Sequence, residues 1–286
     1  MPAPTRIGAV GYLNTRPLVH GLSEDADAGR IVLSYGSPAH LADRLAAGEL
    51  DLALLPCIEL ARIPDLEVIP GLSISCPGPA RSVLLVSKKP VREVGTVALD
   101  PESRTSNGLV QVLFDTVWKN KPVYLTGDRD LESSLAIADA TVRIGDKALF
   151  EPVPSGLHVE DLSGIWAERT GLPFVFAVWA GRTGAVDRTL YRRLHACRRA
   201  GKQAIAEIAR DYVWEGRARP EIAEAYLREN IRYRFGSREL QALNGFLEAA
   251  AGCGVIAAAP KLKLAFHRWT SCHDRAAATA AGRSST

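Results

Sequence analysis

The sequence predicts an α/β protein with two lobes, a cleft between them, and a helical C-terminal segment that returns to the first lobe. Three observations predict this fold. Short apolar runs alternate with helical patterns between residues 7 and 144, which is typical of βαβ units and of mixed, mostly parallel sheets. A second α/β unit begins near Val94, after the turn-forming residues at 76–79. Beyond residue 179 the pattern becomes helical.

These changes of pattern divide the chain into four predicted parts. Residues 1–92 form the first part of lobe 1, residues 93–178 form lobe 2, and residues 179–270 return to lobe 1. Residues 271–286 are rich in Ala, Ser, Thr and Gly, so we expect a disordered tail. This order gives two crossings between the lobes.

The strands are predicted from short runs of apolar residues bounded by turn residues. They cover residues 7–10, 31–34, 51–55, 66–74, 82–87, 97–100, 123–125, 140–144 and 174–179.

The helices are predicted from apolar residues at helical spacing and from their end signals. The first has Ser37 as cap, Pro38 in its first turn and Gly48 as its stop. Further helices are predicted over residues 105–118, 131–138, 187–212, 220–229 and 238–251.

Composition indicates an ordinary globular protein. The chain has 286 residues, of which 47% are hydrophobic and 23% charged, which excludes disorder as the default. The formal net charge of +3 is too small to favour a nucleic-acid partner. The arginines between residues 188 and 199 are better explained as the solvated face of a helix.

Cysteine use and hydropathy favour a cytoplasmic protein without a membrane partner. The five cysteines are scattered, with no CxxC pair and no zinc-finger spacing, as free thiols in a reducing compartment would be. We find no signal-sequence pattern and no run near the ~20 apolar residues of a membrane span. The histidines lie apart and form no recognisable triad or metal site. A monomer and a homodimer both remain open.

Two loops follow predicted strands at positions where open α/β sheets bind ligands. The first, residues 11–18, contains Asn14, Thr15 and Arg16, and the second, residues 101–107, contains Ser103, Arg104, Thr105 and Ser106. Each combines hydroxyl or amide groups with a helix start, which favours an anion by about 0.3–1 kcal/mol. Facing each other across a cleft, the loops would suit a ligand with two carboxylates, and each arginine could add a bidentate contact.

Helix capping explains the same residue types equally well, because Ser, Thr and Asn are the preferred caps. Gly145 and Asp146 form another loop at a strand end, where Asp is as often a cap, and Ser82 alone would be a turn residue. GxGxxG, GxxxxGK[ST] and GxSxG motifs are absent, so dinucleotide, NTP and hydrolase functions have no local support.

Five motifs, in order, resemble those of the chorismate dehydratases. They are YLNTRPL at 12–18, GELDLALLP at 48–56, ALD at 98–100 with SRTS at 103–106, IGDKAL at 144–149, and Trp166 with TGLPFVFAVW at 170–179. The resemblance runs from about residue 6 to residue 268 and leaves out the tail.

The resemblance implies a type 2 periplasmic-binding-protein fold that serves as a hydro-lyase of the futalosine route to menaquinone. Such an enzyme removes water from chorismate to form 3-[(1-carboxyvinyl)oxy]benzoate without a cofactor. Asn14 matches the family's cleft asparagine and Ser82 its cleft serine, and both are expected to be catalytic. The turn Ser103–Ser106 matches the substrate-binding turn, and Gly145 and Asp146 are expected to contact substrate as well.

Two alternatives remain at this point. 1,4-dihydroxy-6-naphthoate synthase of the same pathway shares the fold but carries a catalytic His in the loop where this chain has Gly145. A non-catalytic solute-binding protein for a small carboxylate would normally carry a signal sequence or a lipid anchor.

Overall fold

The computed structural model describes residues 3–266. Its strands are β1 (Thr5–Val10), β2 (Ile31–Gly36), β3 (Leu52–Pro56), β4 (Leu66–Cys76), β5 (Val83–Ser87), β6 (Thr96–Leu99), β7 (Val123–Thr126), β8 (Ala140–Ile144), β9 (His158–Asp161), β10 (Phe174–Arg182), β11 (Val213–Trp214), β12 (Arg217–Ala218) and β13 (Lys263–Leu264).

The α-helices are α1 (Arg16–Val19), α2 (Leu22–Asp27), α3 (Pro38–Ala46), α4 (Arg104–Leu113), α5 (Leu131–Ile137), α6 (Gly145–Phe150), α7 (Leu162–Thr170), α8 (Arg188–Gln203), α9 (Ile205–Asp211), α10 (Pro220–Ala225) and α11 (Ser237–Gly252). A π-helical turn continues α4 over Phe114–Trp118, and another continues α10 over Tyr226–Asn230. Within residues 3–266, no helix has the length and apolar composition that a membrane crossing requires.

Two mixed sheets organise the molecule. The first has the order β13-β4-β10-β3-β1-β2 and the second the order β7-β6-β8-β5-β9. In the first sheet β10 is antiparallel to both its neighbours, and in the second β5 is antiparallel to both of its own. We call each sheet with the helices that pack on it a lobe. The chain passes to the second lobe between β4 and β5 and returns between α7 and β10.

Sheet membership differs from the predicted boundaries at two strands. β5 was placed in the first lobe but pairs with β8 and β9, and β10 begins inside the predicted second lobe but pairs with β3 and β4. A local apolar run does not reveal which strands will pair with it, because pairing is decided between distant segments. We therefore propose that the second lobe extends from β5 to the end of α7. The predicted tail, 271–286, lies outside the described residues.

Caps and apolar periodicity predicted most helices correctly but did not predict where a long helix is divided. Ser37 caps α3 by accepting a hydrogen bond from the His40 amide, as predicted. The single helix predicted over 187–212 is divided at Ala204 into α8 and α9. Three elements were not predicted: α6, which follows β8 without a linker, β9 and α7.

The C-terminal helices connect the two lobes. α8 packs on α1 of the first lobe, next to the loop that carries Asn14. α11 packs on β10 and also on α4 of the second lobe. The Phe246 ring of α11 lies 6.0 Å from that of Trp166 and 4.9 Å from that of Phe174, in edge-to-face geometry. The helical return therefore supports both sides of the cleft.

The contact between α8 and α1 requires a glycine. A Cβ atom on Gly201 would lie 2.1 Å from the carbonyl oxygen of Pro17. We expect Gly201→Ala to lower the free energy of unfolding by about 1–3 kcal/mol, because the backbones must separate. Gly245→Ala in α11 is the matched control, since its Cβ would meet nothing within 4 Å, and we expect a gain of about 0.5–1 kcal/mol. Urea unfolding measures both, and equal effects would contradict the packing argument.

Candidate active site

A cavity of about 560 Å³ lies between the two sheets. Its apolar wall is formed by Val10, Tyr12, Pro38, Pro56, Ile74, Val83, Ile144, Phe176 and Ala177, together with Gly145. Its polar groups belong to Asn14, Thr15, Ser82, Ser103, Thr105 and Ser106. None of these lining residues carries a charged side chain. The cavity thus offers an apolar space for a ring and neutral hydrogen-bond groups around it.

The backbone brings the polar groups and Gly145 together from four segments. The loop with Asn14 and Thr15 follows β1, and the turn with Ser103 follows β6, so both lie at the carboxyl ends of parallel strands. Ser82 precedes β5 and Gly145 follows β8. These two strands pair antiparallel, and the Gly145 amide donates to the Ser82 carbonyl at 2.9 Å. Separate strand ends thereby converge on one space.

Asn14 and Ser82 are joined through a third side chain, that of Tyr226. The Asn14 Nδ2 donates to the Tyr226 hydroxyl at 3.1 Å, and the Ser82 hydroxyl lies 2.8 Å from the same oxygen. Burial raises the pKa of Tyr226 well above its ordinary value, and the hydrogen bonds to Ser82 and Asn14 offset only part of this. Tyr226 is therefore a neutral hydroxyl.

Thr15 offers a hydroxyl that the protein itself does not use. Its side chain is fully buried and lines the cavity, and Oγ1 has no hydrogen-bond partner among residues 3–266. Leaving such a group unpaired in the interior costs about 1–3 kcal/mol, so it is available to a bound ligand.

The Ser103–Ser106 turn presents two hydroxyls at the start of α4. The Ser103 hydroxyl donates to that of Ser106 at 2.8 Å, and both line the cavity. The Thr105 hydroxyl is already engaged within the protein, because its Oγ1 accepts a hydrogen bond from the Ile58 amide at 3.3 Å. The first-turn amides of a helix have no intrahelical acceptor, so this end of the cavity favours an anion.

Arg104 lies outside the cavity lining and joins the two lobes. Its guanidinium contacts both carboxylate oxygens of Asp43, at 2.9 and 3.0 Å, and that of Glu59 at 3.4 Å. Asp43 is exposed, whereas Glu59 is only 2% exposed. Burial raises the pKa of Glu59, and the positive charges of Arg104 and Arg62 offset part of that rise. The predicted contact of Arg104 with substrate stays a prediction that this geometry does not favour.

Arg16 also lies outside the cavity lining. Its guanidinium carbon is 5.7 Å from the centre of the Tyr35 ring and 5.5 Å from that of Tyr212, in a surface groove. Arg16 is therefore held by aromatic rings on the outer side of the loop that carries Asn14. Its predicted carboxylate contact stays a prediction as well.

Gly145 and Asp146 have different surroundings. Gly145 lines the cavity with a φ of +67°, and a Cβ atom there would lie 3.1 Å from the Tyr12 ring. The Asp146 carboxylate is absent from the lining; it accepts from the Leu13 amide at 3.1 Å and from the Tyr212 hydroxyl. Burial raises the pKa of Asp146, and these hydrogen bonds and the charge of Arg16 offset part of the rise. Asp146 therefore orients the loop of Asn14 from the opposite lobe.

Sequence reasoning missed three tyrosines. Tyr12 belongs to the YLN motif but was not selected, although its ring forms part of the cavity wall. Tyr212 and Tyr226 are more than 190 residues away from the loop they support. No local pattern marks either as a partner of Asn14 or Asp146, because the contacts arise only when the C-terminal segment packs. Among the described residues, no group of three or more His, Cys, Asp or Glu is placed to hold a metal ion.

Comparison with known proteins identifies the family. The family model described as "Menaquinone biosynthesis" matches residues 5–252. The chain belongs to this family. Chorismate dehydratase from Thermus thermophilus is 32% identical over 86% of this chain and 95% of its own length. Chorismate dehydratase from Campylobacter jejuni is 28% identical over 83% of this chain and 90% of its own length.

Solved structures establish the fold class. Protein AF1704 from Archaeoglobus fulgidus superposes with a TM-score of 0.69 at 16% identity, over 89% of this chain and 99% of that one. The periplasmic aliphatic sulphonate binding protein SsuA from Escherichia coli gives a TM-score of 0.57 at 19% identity, over 91% and 90%. The predicted periplasmic-binding-protein-like fold is confirmed.

The contact between Arg104 and Glu59 generates a pH-dependent prediction. We expect Arg104→Gln to lower the free energy of unfolding by about 2–3 kcal/mol at pH 7, because it leaves a buried carboxylate without its partner. Glu59 already has a raised pKa, and losing Arg104 raises it further. The ionised form carries the cost, so the difference from wild type should shrink as the pH falls toward about 5 and Glu59 binds a proton.

Urea unfolding at the two pH values measures this difference. Asp43→Asn is the matched control, since it removes the exposed partner of Arg104 and should cost about 0–1 kcal/mol. A loss for Arg104→Gln that is the same at both pH values would contradict the role of Glu59.

Proposed function

We propose that this chain is a hydro-lyase that dehydrates chorismate to 3-[(1-carboxyvinyl)oxy]benzoate, the first committed step of futalosine-dependent menaquinone biosynthesis. Membership in the menaquinone biosynthesis family and the two chorismate dehydratase relatives support this activity. The observation that carries the proposal is the shared cavity, which brings Asn14, Ser82 and the Ser103–Ser106 turn to one apolar space.

The cavity suits a cyclic dianion. Chorismate carries one carboxylate on its ring and a second on the enolpyruvyl ether. In the proposed complex, the first turn of α4 and the Ser103 and Ser106 hydroxyls bind one carboxylate, and Ser82 and Thr15 donate to the other. The apolar wall then contacts the ring. Neutral donors can stabilise an anion where water is excluded.

The reaction removes the proton at C3 and hydroxide at C4. C3 is joined through the C1–C2 double bond to the C1 carboxylate, so negative charge that develops at C3 as the proton leaves spreads into that carboxylate. Hydrogen-bond donors on the carboxylate therefore stabilise this charge. The electron pair left at C3 forms a double bond as the C4–O bond breaks, and the ring becomes aromatic. The departing hydroxide takes the C3 proton back from the group that accepted it and leaves as water, so that group ends as it began. Aromatisation makes the step strongly downhill.

The proton acceptor in this proposal is the enolpyruvyl carboxylate of the substrate. None of the residues that line the cavity has an ionisable base with an ordinary pKa near neutrality. A well-oriented intramolecular base contributes up to about 7–11 kcal/mol. In this arrangement Asn14 orients the substrate or donates to the departing hydroxyl, and Ser82 binds a carboxylate.

The sister synthase of the same pathway is not favoured. Its catalytic histidine would occupy position 145, where this chain has glycine with a left-handed backbone. Any side chain there would begin 3.1 Å from the Tyr12 ring. A solute-binding protein without catalysis would bind chorismate unchanged, so the product assay separates it from an enzyme.

The activity is tested directly with purified protein and chorismate. We expect mass spectrometry to detect a product lighter by one water, with an aromatic absorbance absent from the protein-free control. The same rate is expected in EDTA. Binding of chorismate without any such product would contradict the proposed reaction and favour the solute-binding alternative.

Asn14 provides the test of a catalytic role. We expect Asn14→Ala to lower kcat about 100- to 1,000-fold while KM changes little, because the lost interaction acts mainly in the transition state. Asn120→Ala is the control: its side chain donates to the carbonyls of Arg92 and Val94, away from the cavity, and kcat should stay unchanged. Steady-state kinetics measure both, and equal losses in turnover and in substrate binding would refute the role.

A further inference from the structure

The Tyr226 hydroxyl occupies a junction of three segments. It lies on the turn Tyr226–Asn230 that continues α10, and its residue is 1% exposed. The hydroxyl is within hydrogen-bond distance of Asn14, in the loop after β1, and of Ser82, at the start of β5. Both of these side chains line the cavity, whereas Tyr226 itself does not.

Either hydroxyl of the Ser82–Tyr226 pair could donate, and the Asn14 amide decides between them. A tyrosine hydroxyl has one proton to donate and can accept from other donors. Asn14 Nδ2 donates to it, so the proton of Tyr226 needs an acceptor. Among residues 3–266, Ser82 Oγ is the acceptor within reach, at 2.8 Å. If Ser82 donated instead, the Tyr226 proton would be buried without a partner, at a cost of about 1–3 kcal/mol.

This direction determines what the two cavity side chains present. Because Ser82 Oγ accepts from Tyr226, its own proton is free for a group in the cavity. One N–H of the Asn14 side-chain amide donates to the Tyr226 hydroxyl. If this amide rotated by 180°, its carbonyl oxygen would face the Tyr226 hydroxyl instead. In the opposite arrangement Ser82 would donate to Tyr226, and Tyr226 would donate to the Asn14 carbonyl oxygen, which requires the Asn14 amide to rotate by 180°. Ser82 could then only accept a hydrogen bond from a group in the cavity. In the structure the Asn14 Nδ2 is the donor to Tyr226, so the order in which Ser82 presents its proton to the cavity is the one observed.

We propose that Tyr226 is a positioning residue that holds the Asn14 amide in one orientation and directs the Ser82 proton into the cavity. The kinetic consequence rests on the proposed function, but the hydrogen-bond order does not. Tyr226 acts through Asn14 and Ser82 and touches no reacting atom. Its high pKa, raised by burial, keeps the hydroxyl protonated over the working pH range.

Tyr226→Phe tests this role, and Tyr233→Phe is a closely matched control. Tyr233 lies seven residues later in the same buried cluster, is 3% exposed, and its hydroxyl has no hydrogen-bond partner among the described residues. We expect Tyr226→Phe to lower kcat about 10- to 100-fold with KM changed less than about threefold. Tyr233→Phe removes an equally buried hydroxyl and should leave both constants unchanged.

A double-mutant cycle separates positioning from a general structural effect. In a Ser82→Ala background, the Tyr226 proton no longer orients a serine, so Tyr226→Phe should lower kcat by a much smaller factor than in wild type. A loss of the same factor in both backgrounds would show that Tyr226 does not act through Ser82.

The side-chain amide of Asn14 gives a readout that needs no substrate. In a ¹⁵N–¹H spectrum its signals are assigned by their loss in Asn14→Ala. We expect Tyr226→Phe to shift them and Tyr233→Phe to leave them in place. Ser82→Ala should also shift them, through the altered Tyr226 hydroxyl, and it provides the test if Tyr226→Phe does not fold.

The outcomes distinguish the two proposals. If wild type does not dehydrate chorismate but the Asn14 amide responds to Tyr226→Phe, the proposed function fails and the positioning role stands. If wild type is active but neither kcat nor the amide signals respond to Tyr226→Phe, the positioning role is overturned.

Discussion

The geometry of the site depends on the hydrogen bonds that the buried Asp146 carboxylate accepts across the cleft. It belongs to the second lobe and accepts hydrogen bonds from the Leu13 amide and the Tyr212 hydroxyl of the first. Leu13 directly precedes Asn14, so this contact sets the position of the asparagine relative to Ser82 and Gly145. A buried carboxylate is costly unless donors surround it, and that requirement holds the loop in one place.

A second consequence concerns how charge is distributed around the cavity. The arginines of the two loops are engaged outside the cavity: Arg104 by Asp43 and Glu59, and Arg16 by two aromatic rings. The cavity itself presents hydroxyls, an amide and a helix start. Fixed neutral donors avoid the cost of burying a permanent charge, yet they stabilise an anion once water has left.

Several site residues were predictable because local rules place them. Asn14 and Thr15 follow β1 in the first sheet, and Ser103 and Ser106 follow β6 in the second. Each pair lies at the carboxyl end of a strand with a parallel neighbour, which is where α/β sheets bind ligands. The arginines in the same loops were not predictable in this way. Their side chains are long and are drawn to whichever carboxylate or ring the other lobe provides, as the contact of Arg104 with Asp43 illustrates. Tyr226 carried no local signal at all.

The α/β class, most of the strands, the helical C-terminal segment and the polar loops could be predicted from the amino-acid sequence, because they depend on periodicity and on local end signals. Three features could not be predicted in this way: the strand partners of β5 and β10, the junction at Tyr226, and the contact of Asp146 with Leu13 and Tyr212. Those interactions join residues from about 60 to more than 200 positions apart. Their formation depends on burial and mutual packing, which no window of the sequence contains.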